Sequence, residues 1–168
     1  AEAALPEEAR IQCVSIVTPN NSHADIACMA MERGMHVTTT NKGPLALHSR
    51  ELVELAGSRG VHLLYEGTVM AGTPLLNLIR ETLAGSAISE MQGILNGTTN
   101  FMLSKMEEEN MAYEDALALA QKLGYAEADP TADVEGFDAL AKVVILSNVV
   151  LGGNIGPDDA ERVGISGI

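Results

Sequence analysis

The sequence predicts a parallel α/β sheet followed by a helix-rich α+β unit. Three observations carry this. Over the first 65 residues, short β-branched runs alternate with helical patterns, as in βαβ units. Glycine, proline or asparagine punctuates most changes of pattern. From residue 66 helical periodicity dominates, with one strand candidate. The expected division is therefore 1–65 and 66–168.

Residues 1–10 read as an acidic, helix-prone lead-in, and 11–17 (IQCVSIV) as a strand rich in β-branched residues. Residues 18–22 form a turn. Residues 24–33 are helical, with Gly34 placed to end the helix. Residues 36–40 make a second strand. Residues 41–44 turn into a helix over 45–58, with Pro44 near its first turn. Residues 61–65 make a third strand. Thr18 and the Asn41-Lys42 turn each follow a strand, which places both at the carboxyl edge where ligands of parallel sheets collect. After the glycine-rich stretch 66–74 come a helix over 75–83 and a strand over 87–95. Helices then start near Asn96 and cover 113–123, bounded by Gly124. A long helix follows the Asp129-Pro130 turn and runs to about residue 151, with Asp133 or a neighbour as its cap. Its apolar positions Phe137, Leu140, Ala141, Val144 and Ile145 recur at helical spacing. A short helix over 158–162 follows the loop 152–157.

Apolar residues make up 46% of the 168 positions and charged residues 20%, as in globular proteins. Aromatics are only 3%, so Ala, Leu, Ile, Val and eight Met must build the core. A formal charge of −13 argues against nucleic acid or anionic membrane as a partner, because both require basic patches. No apolar run approaches the roughly 20 residues of a membrane span. Cys13, in a strand expected to be buried, and Cys28, in a helix, fit no metal spacing and read as free thiols in a reducing cytoplasm. The four histidines are scattered and read as ordinary.

The segment 124–142, GYAEADPTADVEGFDALAK, is the most informative. Asp138 and Lys142 lie four apart on a predicted helix and share a face. Taken alone, this is a surface ion pair. The helix bears almost no other charge, and apolar residues follow. A lysine at the edge of a buried helix loses hydration, which disfavours its charged form and equips it to accept a proton. Asp129, before Pro130, reads as structural. Asn96-Gly97-Thr98-Thr99 opens a helix, where two readings stand: an N-cap by Asn96 or Thr98, or an anion site at the amides of Gly97 and Thr98.

Three ordered stretches, TTNKGPLA at 39–46, GILNGTTNFML at 93–103 and the segment just described, resemble homoserine dehydrogenase. The resemblance runs from about Val14 to the end. It implies a partial Rossmann-like sheet that supplies part of a cofactor domain, then a catalytic and dimerisation domain. It implies interconversion of L-homoserine and L-aspartate 4-semialdehyde with NAD or NADP, on the route to threonine, isoleucine and methionine. Lys142 is then the acid/base group assisted by Asp138. Lys42 reaches the cofactor and the reacting centre, and Thr18 contacts the cofactor. Glu127 and Asp133 receive the substrate ammonium, while Gly97 and Thr98 receive its carboxylate. Glu66, with the carbonyls of Val69, Ala71 and Thr73, resembles a monovalent-cation loop suited to sodium. Gly67 departs from the alanine more frequent there. A cytoplasmic homodimer joined through residues beyond about 75 is expected. No G-x-G-x-x-G turn occurs, so the chain is expected to be a portion of a longer enzyme. The rival reading is a non-catalytic dimerisation module kept from such an enzyme.

Overall fold

A computed structural model describes residue 6, residues 10–16, residue 18 and residues 20–168. The lead-in over 1–10 falls outside these apart from Pro6 and Arg10, as do Val17 and Pro19 of the first strand and turn.

Three strands, β1 (Cys13–Ser15), β2 (His36–Thr38) and β3 (Leu63–Leu64), form a parallel sheet in the order β1-β2-β3. Val14 lies opposite Val37, and Val37 opposite Leu63. The strands are shorter than the β-branched runs predict. β1 and β3 are edge strands of this sheet, and Cys13 is exposed rather than buried because it projects, with Ser15, from the face of β1 that the described residues leave uncovered.

Helix α1 (His23–Glu32) turns Ala27, Ala30 and Met31 inward, and Gly34 follows it in the left-handed region as expected. Helix α2 (Lys42–Arg59) begins three residues earlier than the sequence suggests. Asn41 caps it by accepting from the Gly43 amide at 2.9 Å, so Lys42 occupies the first helical position rather than a turn. His48 breaks the helical dihedrals inside α2.

In the second half, α3 (Leu75–Asn77) widens into a π turn over Leu78–Thr82. The strand expected over 87–95 is not formed. The segment has no assigned secondary structure, no described strand of this half lies beside it to complete a ladder, and Ile94 stands 72% exposed. Helices α4 (Gly97–Glu109) and α5 (Tyr113–Leu123) pack on each other, and Met102, Ala116, Ala120, Ala126 and Val134 close a small core between them.

The long helix predicted after Pro130 is two helices, α6 (Thr131–Val134) and α7 (Phe137–Val150). Gly136, at φ 78°, separates them and is the N-cap of α7, so Asp133 does not cap that helix. Phe137 is not a core residue. It is half exposed, and the Arg162 guanidinium lies 3.9 Å from its ring centroid. Leu140 and Ala141 are partly buried, Val144, Ile145 and Leu146 fully so, and they join Leu45, Leu52, Met31 and Val37 in one core as α7 packs along α2. The predicted helix over 158–162 is a single 3-10 turn, Pro157–Asp159. Among the described residues no helix is long and apolar enough to cross a membrane.

At Gly136 a side chain would meet both crowding and backbone strain. A Cβ there meets Arg162 Cγ at 3.3 Å and the Val163 carbonyl at 3.4 Å, in a conformation that strains any L-residue. Gly136→Ala is therefore expected to destabilise the fold by at least ~1–2 kcal/mol in urea denaturation. Unchanged stability would show that the break between α6 and α7 does not require glycine.

Candidate active site

Packing of α7 along α2 brings charges from distant parts of the chain together. Asp138, in the first turn of α7, sits between two lysines. Lys142 Nζ lies 2.6 Å from its Oδ2, and Lys42 Nζ lies 3.1 Å from its Oδ1. The four-residue spacing of 138 and 142 puts the first pair on one helical face, as the sequence implies. The second pair joins the sheet edge to the later helix and has no local signature in the sequence.

Lys142 points inward. Its side chain is 13% exposed, and it also donates to the Leu95 carbonyl at 2.5 Å. The ammonium thus has a charged and a neutral acceptor from two different elements. This is not the arrangement of a solvated surface pair, whose value is usually small.

Asn96 completes the cluster. Its Nδ2 donates to Asp133 Oδ1 at 2.6 Å and to Asp138 Oδ2 at 3.1 Å. Its Oδ1 accepts from the Thr99 amide at 2.9 Å, so it is also the N-cap of α4. The sequence indicated the cap but not the bridge. Its partners lie 37 and 42 positions downstream, where no local pattern links them to Asn96.

Burial pushes the Asp138 carboxyl up. Hydrogen bonds from Lys142 and Asn96 and the charges of Lys42 and Lys142 outweigh that and hold it below the usual carboxylate range. Asp138 is therefore a permanent anion near neutrality, suited to orient a lysine.

The remaining candidates are spread around this cluster. Thr98 is buried and donates its hydroxyl to the Tyr125 carbonyl at 2.7 Å. The amides of Gly97 and Thr98 lie in the first turn of α4, where a helix offers them no carbonyl of its own. Glu127 is exposed in the turn before α6, and its carbonyl accepts from Gln121. Asp129 accepts from the Thr131 amide and hydroxyl, a turn role as expected. Thr18 is exposed beyond β1, with its hydroxyl 2.9 Å from that of Ser22.

Glu66 spans the entrance to α3, its two oxygens accepting from the amides of Leu76 and Asn77 at 2.8 and 2.7 Å. Val69 is buried, while Ala71 and Thr73 are exposed in the following loop. A Cβ at Gly67 would meet the Thr40 methyl at 3.0 Å, so this chain gains a close approach of loop to sheet edge from lacking one. Among the described residues no group of three or more His, Cys, Asp or Glu could hold a metal. A cleft of about 560 Å³ lies elsewhere, lined by residues that include Tyr65, Arg80 and Asn148.

The depressed Asp138 pKa has a consequence for acid stability. The unfolded chain takes up this proton first, near the ordinary value of about 4, while the folded chain resists it. The contribution is complete above about pH 4 and is lost as pH falls through the folded value. Unfolding free energies measured from pH 2 to 7 should fall less steeply below about pH 4 for Asp138→Asn than for the unaltered protein. Equal slopes would refute the pairing.

Comparison with known proteins identifies the family. The homoserine dehydrogenase family model matches residues 74–168, and an oxidoreductase family model with an NAD-binding Rossmann fold matches residues 2–66. The chain is 53% identical over 139 residues to the NAD(+)-dependent homoserine dehydrogenase of Pseudomonas canavaninivorans, covering 83% of this chain and 39% of that protein. It is 51% identical over 133 residues to the homoserine dehydrogenase of Methanocaldococcus jannaschii, covering 79% and 40%. A hyperthermophilic archaeal homoserine dehydrogenase solved in complex with NADPH superposes with a TM-score of 0.82 at 33% identity, over 93% of this chain and 48% of that one. The chain thus spans about two fifths of the length of these two curated relatives. It belongs to the homoserine dehydrogenase family.

Proposed function

We propose that these residues form the catalytic and substrate-binding part of an enzyme that interconverts L-homoserine and L-aspartate 4-semialdehyde with NAD or NADP, in the synthesis of threonine, isoleucine and methionine. One observation supports this above the rest: an inward-facing lysine, Lys142, held between Asp138 and the Leu95 carbonyl.

Oxidation of an alcohol needs an acceptor for hydride and an acceptor for the hydroxyl proton. The nicotinamide, when bound, supplies the first. As the neutral amine, Lys142 Nζ takes the hydroxyl proton in the forward direction and becomes the ammonium, which returns the proton in reverse, while Asp138 fixes its direction. Lys42, bound to the same carboxylate, stands between the sheet edge and the reacting centre. Thr18, at the end of the neighbouring strand, lies on that same edge, so both residues fit one side of a dinucleotide site. The substrate ammonium meets Glu127 and Asp133 through charge-assisted hydrogen bonds. Its carboxylate meets the amides of Gly97 and Thr98.

In this reading residues 1–65 serve the cofactor and 66–168 the substrate. Glu66 and the carbonyls of Val69, Ala71 and Thr73 offer oxygen ligands to a monovalent cation such as sodium. The strand-like composition of the unpaired segment 87–95 and the exposure of Ile94 favour a homodimer joined in this half. The free thiols of Cys13 and Cys28 suit a reducing cytoplasm.

In a full-length enzyme carrying these residues, Lys142→Ala is expected to lower kcat by ~10²–10⁴ while the homoserine KM changes little. Steady-state kinetics in the oxidative direction would check this. Near-normal turnover would remove Lys142 from the chemistry.

A further inference from the structure

Asn96 is 8% exposed and has no apolar role in either core. Its two amide hydrogens go to two different carboxylates, Asp133 on α6 and Asp138 on α7. Its oxygen accepts from both the amide and the hydroxyl of Thr99. Those two donors determine which way the amide faces, because reversal would set its hydrogens against the Thr99 amide. The preceding residue, Leu95, receives Lys142 through its carbonyl. Two consecutive residues at the start of α4 therefore grip three ionic groups that belong to α6 and α7.

Like charges brought close repel, and two carboxylates at one site tend to share a proton or move apart. An NH2 group between them opposes both outcomes, because each hydrogen favours an ionised partner. We propose that Asn96 is a positioning residue for the reaction, its amide dividing two hydrogens between Asp133 and Asp138 and so fixing the distance between the ammonium-binding acid and the acid that orients Lys142. This rests on the roles of Asp133 and Lys142 given under the proposed function. Asn96 touches neither substrate nor cofactor in that scheme and acts through its partners.

Two substitutions separate the bridge from the cap. Asn96→Ser and Asn96→Asp both keep a side-chain oxygen for the Thr99 amide, and serine, aspartate and asparagine are comparable caps. Neither keeps the NH2. The Asp138 carboxyl is followed by 13C NMR as pH is varied in the 168-residue chain, and its midpoint should move up in both variants, further for Asn96→Asp. In the full-length enzyme, kcat should fall roughly tenfold or more, with the acid limb of its pH profile displaced upward. A cap role alone would alter thermal stability and move neither readout. An unmoved midpoint, or an unmoved kcat, overturns the proposal. If the unaltered enzyme oxidises no homoserine, the functional reading fails instead, and the Asp138 midpoint, which needs no turnover, decides the bridge.

Discussion

The carboxylate of Asp138 is the point at which the structure's electrostatics meet. A charge this sheltered from water is tolerated only when it is paired and hydrogen-bonded. Here two ammonium groups and an amide satisfy it, and they come from α2, α7 and the entry to α4. Removing one partner leaves the others imperfectly compensated, so the site is a network and not a sum of contacts. Its geometry depends on three elements keeping their places at once.

That condition is met by apolar packing. Leu45 and Leu52 on α2 and Val144 and Ile145 on α7 are fully enclosed in one core with β2. Close-packed interiors deform little, so the helix axes are held while the polar ends project beyond the core. Lys42 and Asp138 each stand in the first turn of their helix, where side chains clear the packed face. The placement is also electrostatically apt for Asp138, because an anion at a helix start is favoured by the macrodipole. Lys42 is disfavoured by the same effect, and its pairing with Asp138 compensates.

Local spacing made part of this readable in advance. Asp138 and Lys142 follow from one helical turn, and the parallel sheet follows from alternation of strand and helix patterns. The Asn96 cap follows from residue type before an apolar helix. Contacts between residues far apart in the chain carry no such signal. Nothing near Lys42 announces Asp138, and nothing near Asn96 announces Asp133. Segments of strand-like composition are a third case. Residues 87–95 have the composition of a strand, but composition cannot supply a neighbouring strand, and pairing is what defines one. The interruption at Gly136 has no sequence signature, because apolar periodicity continues across it and a lone glycine in a helix is tolerated at modest cost.

That interruption bears on which residues can cooperate. On an unbroken helix, positions five apart point about 140° away from each other, at about 100° per residue. Asp133 and Asp138 would then project to nearly opposite sides, and no single amide could serve both. The left-handed residue between them resets the rotational phase of the chain, and two acids that a regular helix would scatter converge on one nitrogen. Convergence of charge at this site is thus produced by a lapse in periodicity rather than by periodicity itself.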